Sequence, residues 1–215
     1  MKNQIVLFVI ITLFGFLSCK HDSGVDNIYY ASINKQYVMP ANLKTVSGKT
    51  DAISMHVDSI ISGLINTDII STGNISFDLN GDKHSDLSFE IIDLNKYNIH
   101  ALPDTLDSLA VRVIPYTMQI LDNSTYDYPD ALIENYIINS SGNWTTQTCV
   151  LGTFLGAGQF KGKGEKYLGI RLTQDNSYLY GWIKLYCSQH NDTLRIIDYA
   201  YNKNSGHQIL AGQKE

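Results

Sequence analysis

The sequence predicts an all-β protein: an antiparallel β-sandwich of jelly-roll or lectin-like type, with little helix beyond its first residues. Three observations carry that expectation. From Ile28 onward, apolar residues recur mostly at every second position, the period of a half-buried strand. Tyr is abundant at 14 residues and Pro scarce at 4, while Ser, Thr, Asn and Gly are spread throughout, which suits short strands divided by turns. The acidic residues are mostly Asp, with Glu only at Glu90, Glu134, Glu165 and Glu215. Asp belongs in turns and ion loops, whereas Glu favours helices.

In chain order, the first element is a targeting segment. Met1 and Lys2 precede an apolar run over residues 5–17, broken only by Thr12 and Gly15, and Ser18 stands directly before Cys19. A basic start, an apolar centre and a small residue before the cut define a signal peptide over residues 1–18. The run falls short of the roughly 18–20 residues that span a bilayer. Phe16-Leu17-Ser18-Cys19 resembles the lipobox of bacterial lipoproteins, with Phe16 in place of the usual Leu. The resemblance implies that Cys19 is lipidated and anchors the mature chain to the outer membrane of a cell envelope, on its periplasmic or surface side. Lys20, His21 and Asp22 resemble the charged sorting signals of Bacteroidetes-type surface lipoproteins. Residues 19–27 then read as lipidated Cys and tether, and residues 28–215 as one β-sandwich domain. Roughly 195 residues remain after the signal, enough for one sizeable core.

Within that domain, Ile75, Phe77 and Leu79 alternate with polar neighbours, as do Leu87, Phe89 and Ile91 beyond a turn-rich gap. Further strands are expected over residues 110–114, 117–121 and 133–138. A three-strand meander is expected over residues 166–172, 178–187 and 194–200, with turns at Gln174-Asp175-Asn176 and around residues 189–192. Only residues 51–65 have helical potential, and their Ile and Val content argues against it.

The gap between the first two clear strands holds the one chemically specific feature, Asp78-Leu79-Asn80-Gly81-Asp82-Lys83-His84-Ser85-Asp86. Calcium takes six to eight oxygens, and loop positions one, three, five and nine with a carbonyl at seven converge on it. Those positions are Asp78, Asn80, Asp82 and Asp86, with the His84 carbonyl between. The loop resembles the Asp-x-Asn-Gly-Asp loops of integrin-type repeats and dockerins, although Lys83 stands where Gly is common. The resemblance implies a structural Ca2+ that stiffens the loop. The alternative is a polar hairpin turn, since Asn-Gly alone favours one.

Tyr178, Tyr180 and Trp182 share one face of an expected strand with Tyr186, and Leu179, Ile183, Leu185 and Cys187 share the other. The aromatic face either stacks on a ligand such as a sugar ring or is buried in a strand covered on both sides. Cys149 and Cys187 form an even pair, either a disulfide or two buried thiols. The glycines between Gly152 and Gly164 lack the Gly-Lys-Ser/Thr of a phosphate loop and read as turn or bulge residues. The histidines have no metal-ligand spacing. Asp-Ser/Thr-apolar triplets, such as Asp58-Ser59-Ile60 and Asp192-Thr193-Leu194, resemble the O-glycosylation signal of exported Bacteroidetes proteins.

The formal charge is −5 with no basic cluster, so nucleic acid is not an expected partner. No nucleophile elbow or Cys/His motif appears, and the chain is not expected to be an enzyme. Residues 180–185, 196–201 and 209–212 resemble the closing strands of secreted bacterial β-proteins of unknown function. Together these features lead to a lipid-anchored envelope protein with a calcium loop, serving as a binding or adhesion module for glycan or protein. Two alternatives stand beside it: a carbohydrate-active hydrolase built on two of Glu90, Glu134 and Glu165, and a structural subunit of an envelope complex.

Overall fold

The computed structural model describes residues 27–38, 74–93, 109–126, 128–153 and 158–215. The signal segment, Cys19, the tether up to residue 26, the 51–65 stretch and the first of the Asp-Ser/Thr triplets lie outside them.

Twelve strands are described: β1 (Ile28–Val38), β2 (Asn74–Phe77), β3 (Leu87–Asp93), β4 (Leu109–Pro115), β5 (Met118–Asp122), β6 (Ile137–Ile138), β7 (Asn143–Thr145), β8 (Cys149–Thr153), β9 (Glu165–Gln174), β10 (Ser177–Cys187), β11 (Thr193–Asn202) and β12 (Ile209–Leu210). No helix occurs among the described residues. The strands form a six-stranded sheet in the order β1-β11-β10-β9-β5-β7, a four-stranded sheet in the order β2-β3-β4-β8, and a β12-β6 pair. Every named strand pairing is antiparallel.

Alternation decides which residues meet between the sheets. The four-stranded sheet contributes Phe77, Leu87, Phe89, Ile91, Val111, Val113 and Leu151, and the six-stranded sheet contributes Met118, Ile120, Leu168, Ile170, Ile183, Leu185 and Ile196. All belong to one buried cluster, the core of an antiparallel sandwich. Each fully buried Leu, Ile or Phe of that set contributes about 1.5–3 kcal/mol relative to exposure.

The meander forms as its turns dictate. Gln174 and Ser177 face each other across a two-residue loop in which Asp175 takes φ 49°, a conformation that Asp tolerates better than most residues. The β10–β11 connection is held by Ser188, whose hydroxyl donates to Asp192 at 2.8 Å and accepts the Thr193 N–H at 3.1 Å.

A second buried cluster lies on the other face of the six-stranded sheet. Tyr167, Tyr180 and Trp182 pack there with Leu121, Leu132, Ile138, Ile209 and Ala211. The C-terminal segment and residues 128–145 therefore cover a face that would otherwise meet water, making β9 and β10 central strands buried on both sides.

The strand expected over residues 133–138 shrinks to Ile137–Ile138. Asn135 takes φ 65° and Tyr136 N–H bonds back to the Ile133 carbonyl, so a turn interrupts the run. Alternation missed β8, where consecutive residues from Cys149 to Thr153 are all buried. It also missed β7, which is only three residues long and begins on the turn-forming Gly142-Asn143 pair.

Candidate functional site

The β2–β3 connection is the 78–86 loop, and its side chains bind its own backbone. Asp78 accepts the N–H groups of Gly81 at 2.7 Å and Lys83 at 2.8 Å. Asn80 Oδ1 accepts the Asp82 N–H at 2.9 Å, and Asp82 Oδ1 accepts the His84 N–H at 2.8 Å. Three successive oxygen-bearing side chains are thus fixed on an exposed loop. Gly81 and Lys83 both take left-handed backbone, at φ 81° and 73°. The loop therefore adopts at Lys83 the conformation for which a glycine is better suited. Partial desolvation pushes the Asp78 carboxyl up, but the backbone N–H groups led by Lys83 and Gly81 outweigh it and hold the group below the usual carboxylate range.

Asp86 departs from the expected ligand set. It is buried at 1 % exposure, its Oδ2 accepts the Leu79 N–H at 2.8 Å, and its Oδ1 accepts the Thr117 hydroxyl. Its carbonyl takes the Tyr116 N–H at 2.8 Å, at the corner where the chain crosses from β4 to β5. Tyr199 on the opposite sheet donates to the Leu79 carbonyl at 3.2 Å. Asp86 is thus a structural joint beneath the loop. Asp78, Asn80, Asp82 and the His84 carbonyl remain as potential donors to a cation, fewer than the six to eight oxygens calcium takes, so water would complete the shell. Among the described residues no three His, Cys, Asp or Glu side chains converge.

The aromatic stacking face is corrected as well. Tyr180 is 3 % exposed and Trp182 fully buried. Trp182 stands edge-on to Tyr167 with centroids 5.2 Å apart, and its Nε1 donates to the Gln213 carbonyl at 3.2 Å. The Tyr178 ring carries the Arg171 guanidinium 3.8 Å from its centroid. Tyr180 and Trp182 are committed within the fold beneath the C-terminal segment, whereas Tyr178 is half-buried with Arg171 over its ring. Cys149 and Cys187 are likewise buried and form no disulfide, and burial pushes the Cys187 thiol well up.

A cavity that no motif foretold lies beside this covered face. It has a volume of about 270 Å³, between the end of β5, the following loop and the start of β7. Leu121 and Leu132 are its buried apolar lining residues, while Asp122, Asn123, Asp130 and Asn143 supply polar groups and Tyr136, 44 % exposed, an aromatic ring. Asp122 and Asn143 are direct cross-strand partners. Asn123 donates to Asp130 at 2.8 Å and accepts the Thr125 N–H at 2.7 Å, so the loop fixes Asp130 in place. Glycines permit the close packing: a Cβ on Gly142 would meet Leu121 Cδ1 at 2.3 Å, and one on Gly169 would meet Leu121 Cβ at 2.8 Å. The sequence signal at this place is a dense run of Asp, Asn, Ser and Tyr over residues 122–130, a composition that turns and loops share.

The cavity contains none of the expected hydrolase carboxylates. Glu90 is buried in an ion pair with Arg112 at 2.7 Å on the four-stranded sheet. Glu165, on the six-stranded sheet, pairs with Lys184 at 2.9 Å and Arg195 at 2.8 Å. The Lys184 hydrogen bond leads in holding the Glu165 carboxyl below its ordinary range. No protein family, curated protein or solved structure matches the chain.

Proposed function

We propose that this chain is a non-enzymatic binding module of the cell envelope, held at the outer membrane through a lipidated Cys19 and stiffened by calcium in the 78–86 loop. The observation that carries the reading is the backbone clasp of Asp78, Asn80 and Asp82. Each side chain has an oxygen oriented by a loop N–H, and a carboxylate or amide oxygen that accepts one hydrogen bond retains a further lone pair for a cation. Asp78 and Asp82 supply two negative charges, the amide of Asn80 and the carbonyl of His84 supply neutral oxygens, and water fills the remainder. Bound calcium would neutralise like charges brought together on one loop and couple its ordering to the Asp86 joint beneath it. The signal and Cys19 support an anchored address, and the bound partner is a glycan or a protein.

Calorimetric calcium titration of the purified protein, with thermal melts in calcium and in chelator, tests this. At calcium about 100 times Kd the protein should gain about 2.7 kcal/mol, or about 5–10 °C in melting temperature for a chain of this size. Asp82→Ala should abolish both signals. Equal melting temperatures in calcium and chelator, with no heat of binding, would reduce the loop to a polar hairpin turn. Labelled fatty acid that fails to appear on the expressed chain, or that still appears on Cys19→Ala, would remove the anchor.

A further inference from the structure

We infer that the cavity between β5 and β7 is the module's ligand site and that it takes a single neutral sugar ring. This rests on the binding-module reading and names its site and ligand class.

Three observations point the same way. The cavity combines an apolar surface from Leu121 and Leu132 with a polar lining from Asp122, Asp130 and Asn143, which matches a ring that has C–H faces and hydroxyl edges. Carboxylates accept charge-assisted hydrogen bonds from hydroxyls, and an amide both donates and accepts. Asp130 is already oriented by Asn123, so its geometry precedes the ligand. Tyr136 stands half-open at the cavity, its backbone pinned when its carbonyl accepts the Ala211 N–H at 2.9 Å, and its ring offers an apolar face.

Size and charge narrow the class. At about 270 Å³ the cavity lies at the low end of the roughly 300–1,000 Å³ range for ligand sites, which suits one ring rather than an extended chain. A protein partner would require a broad interface of roughly 1,200–2,000 Å² rather than a small concavity. Among the described residues no Lys or Arg lines the cavity, whereas Asp122 and Asp130 do, so uronates, sialic acids and sulfated sugars meet like charge. Of the rings expected to stack from β10, Tyr180 and Trp182 are buried and Tyr178 is half-buried beneath Arg171, and the aromatic surface at this cavity comes from Tyr136 instead.

The test uses the purified full chain on an array of neutral hexose and N-acetylhexosamine oligosaccharides beside acidic ones. The best-bound oligosaccharide is then titrated calorimetrically into wild type, Tyr136→Ala, Asp130→Asn and Asn143→Ala. The expected result is binding of neutral glycans, weakened about tenfold by Tyr136→Ala and by Asn143→Ala. Both positions are exposed, so melting temperatures should hold and separate lost contact from lost fold. Asp130→Asn should weaken binding further, since it exchanges a fixed acceptor for an amide. Unchanged affinity in all three variants would overturn the cavity as the site while leaving the binding module standing. Preference for acidic glycans, or an array blank for wild type, would overturn the neutral sugar assignment; calcium stiffening is read separately, by the melts above.

Discussion

Asp86 shows how one residue type serves two ends within nine positions. Asp78 and Asp82 lie on the exposed loop and bind its backbone, whereas Asp86 is buried and joins the loop to the β4–β5 corner. Asp86→Ala would leave the Leu79 N–H and the Thr117 hydroxyl without this acceptor. It should cost about 3 kcal/mol in chemical denaturation. Asp82→Ala, in chelator, should cost about 1 kcal/mol or less, because water replaces its partners. Comparable losses for both would refute the division between joint and loop. Lys83 carries the converse signature, a long side chain on left-handed backbone. Lys83→Gly should relieve roughly 1 kcal/mol of local strain, partly offset by the greater chain entropy of glycine. A net gain of about 0.5 kcal/mol by the same denaturation measurement is expected, and a loss would mean that the Lys83 side chain contributes more than its backbone costs. Sequence spacing identified the loop and its first three side chains. It could not separate Asp86 from them, because loop position does not report burial.

Among the elements, the meander was legible because its turns and its two-residue period agree. The segment over residues 133–138 was not: Ile133, Ile137 and Ile138 look like a strand, yet Asn135 turns the chain and leaves Ile133 and Ile137 exposed. Residues 149–153 escaped notice for the opposite reason, since burial on both faces removes alternation. The aromatic face of β10 was legible as a face, but what covers it is a long-range matter. Ile209, Ala211 and the Gln213 carbonyl come from the far end of the chain. Lys214 completes that cover with a 2.9 Å ion pair to Asp198. Deleting residues 208–215 should therefore expose Trp182, shift its fluorescence to the red and cost about 3 kcal/mol, chiefly from the lost burial of Ile209 and the neighbouring rings. Unshifted emission with unchanged stability would mean that the segment does not cover the sheet.

Over the whole molecule, the two sheets close on a core that holds two thiols without joining them. Cys149 belongs to the four-stranded sheet and Cys187 to the six-stranded one, both in the same cluster. In the native protein neither should react with a water-soluble thiol reagent within the time that unfolded controls need. Denaturant should release both together, and reductant should leave the melting temperature unchanged. A reductant-sensitive melt would establish a disulfide instead. The fold class was readable from period and composition because both are sums over many residues. The cavity was not, because Leu121, Asp130 and Asn143 meet only through the β5–β7 pairing and the packing of Leu121 and Leu132 over Gly169.

Amide hydrogen exchange with and without calcium reads the 78–86 loop and the Asp86 joint in one experiment. Calcium should slow exchange at Gly81, Asp82, Lys83 and His84, whose N–H groups the loop side chains already hold, and extend protection to Leu79 through Asp86. The same amides exchanging at equal rates in calcium and in chelator would mean that calcium does not stiffen the loop.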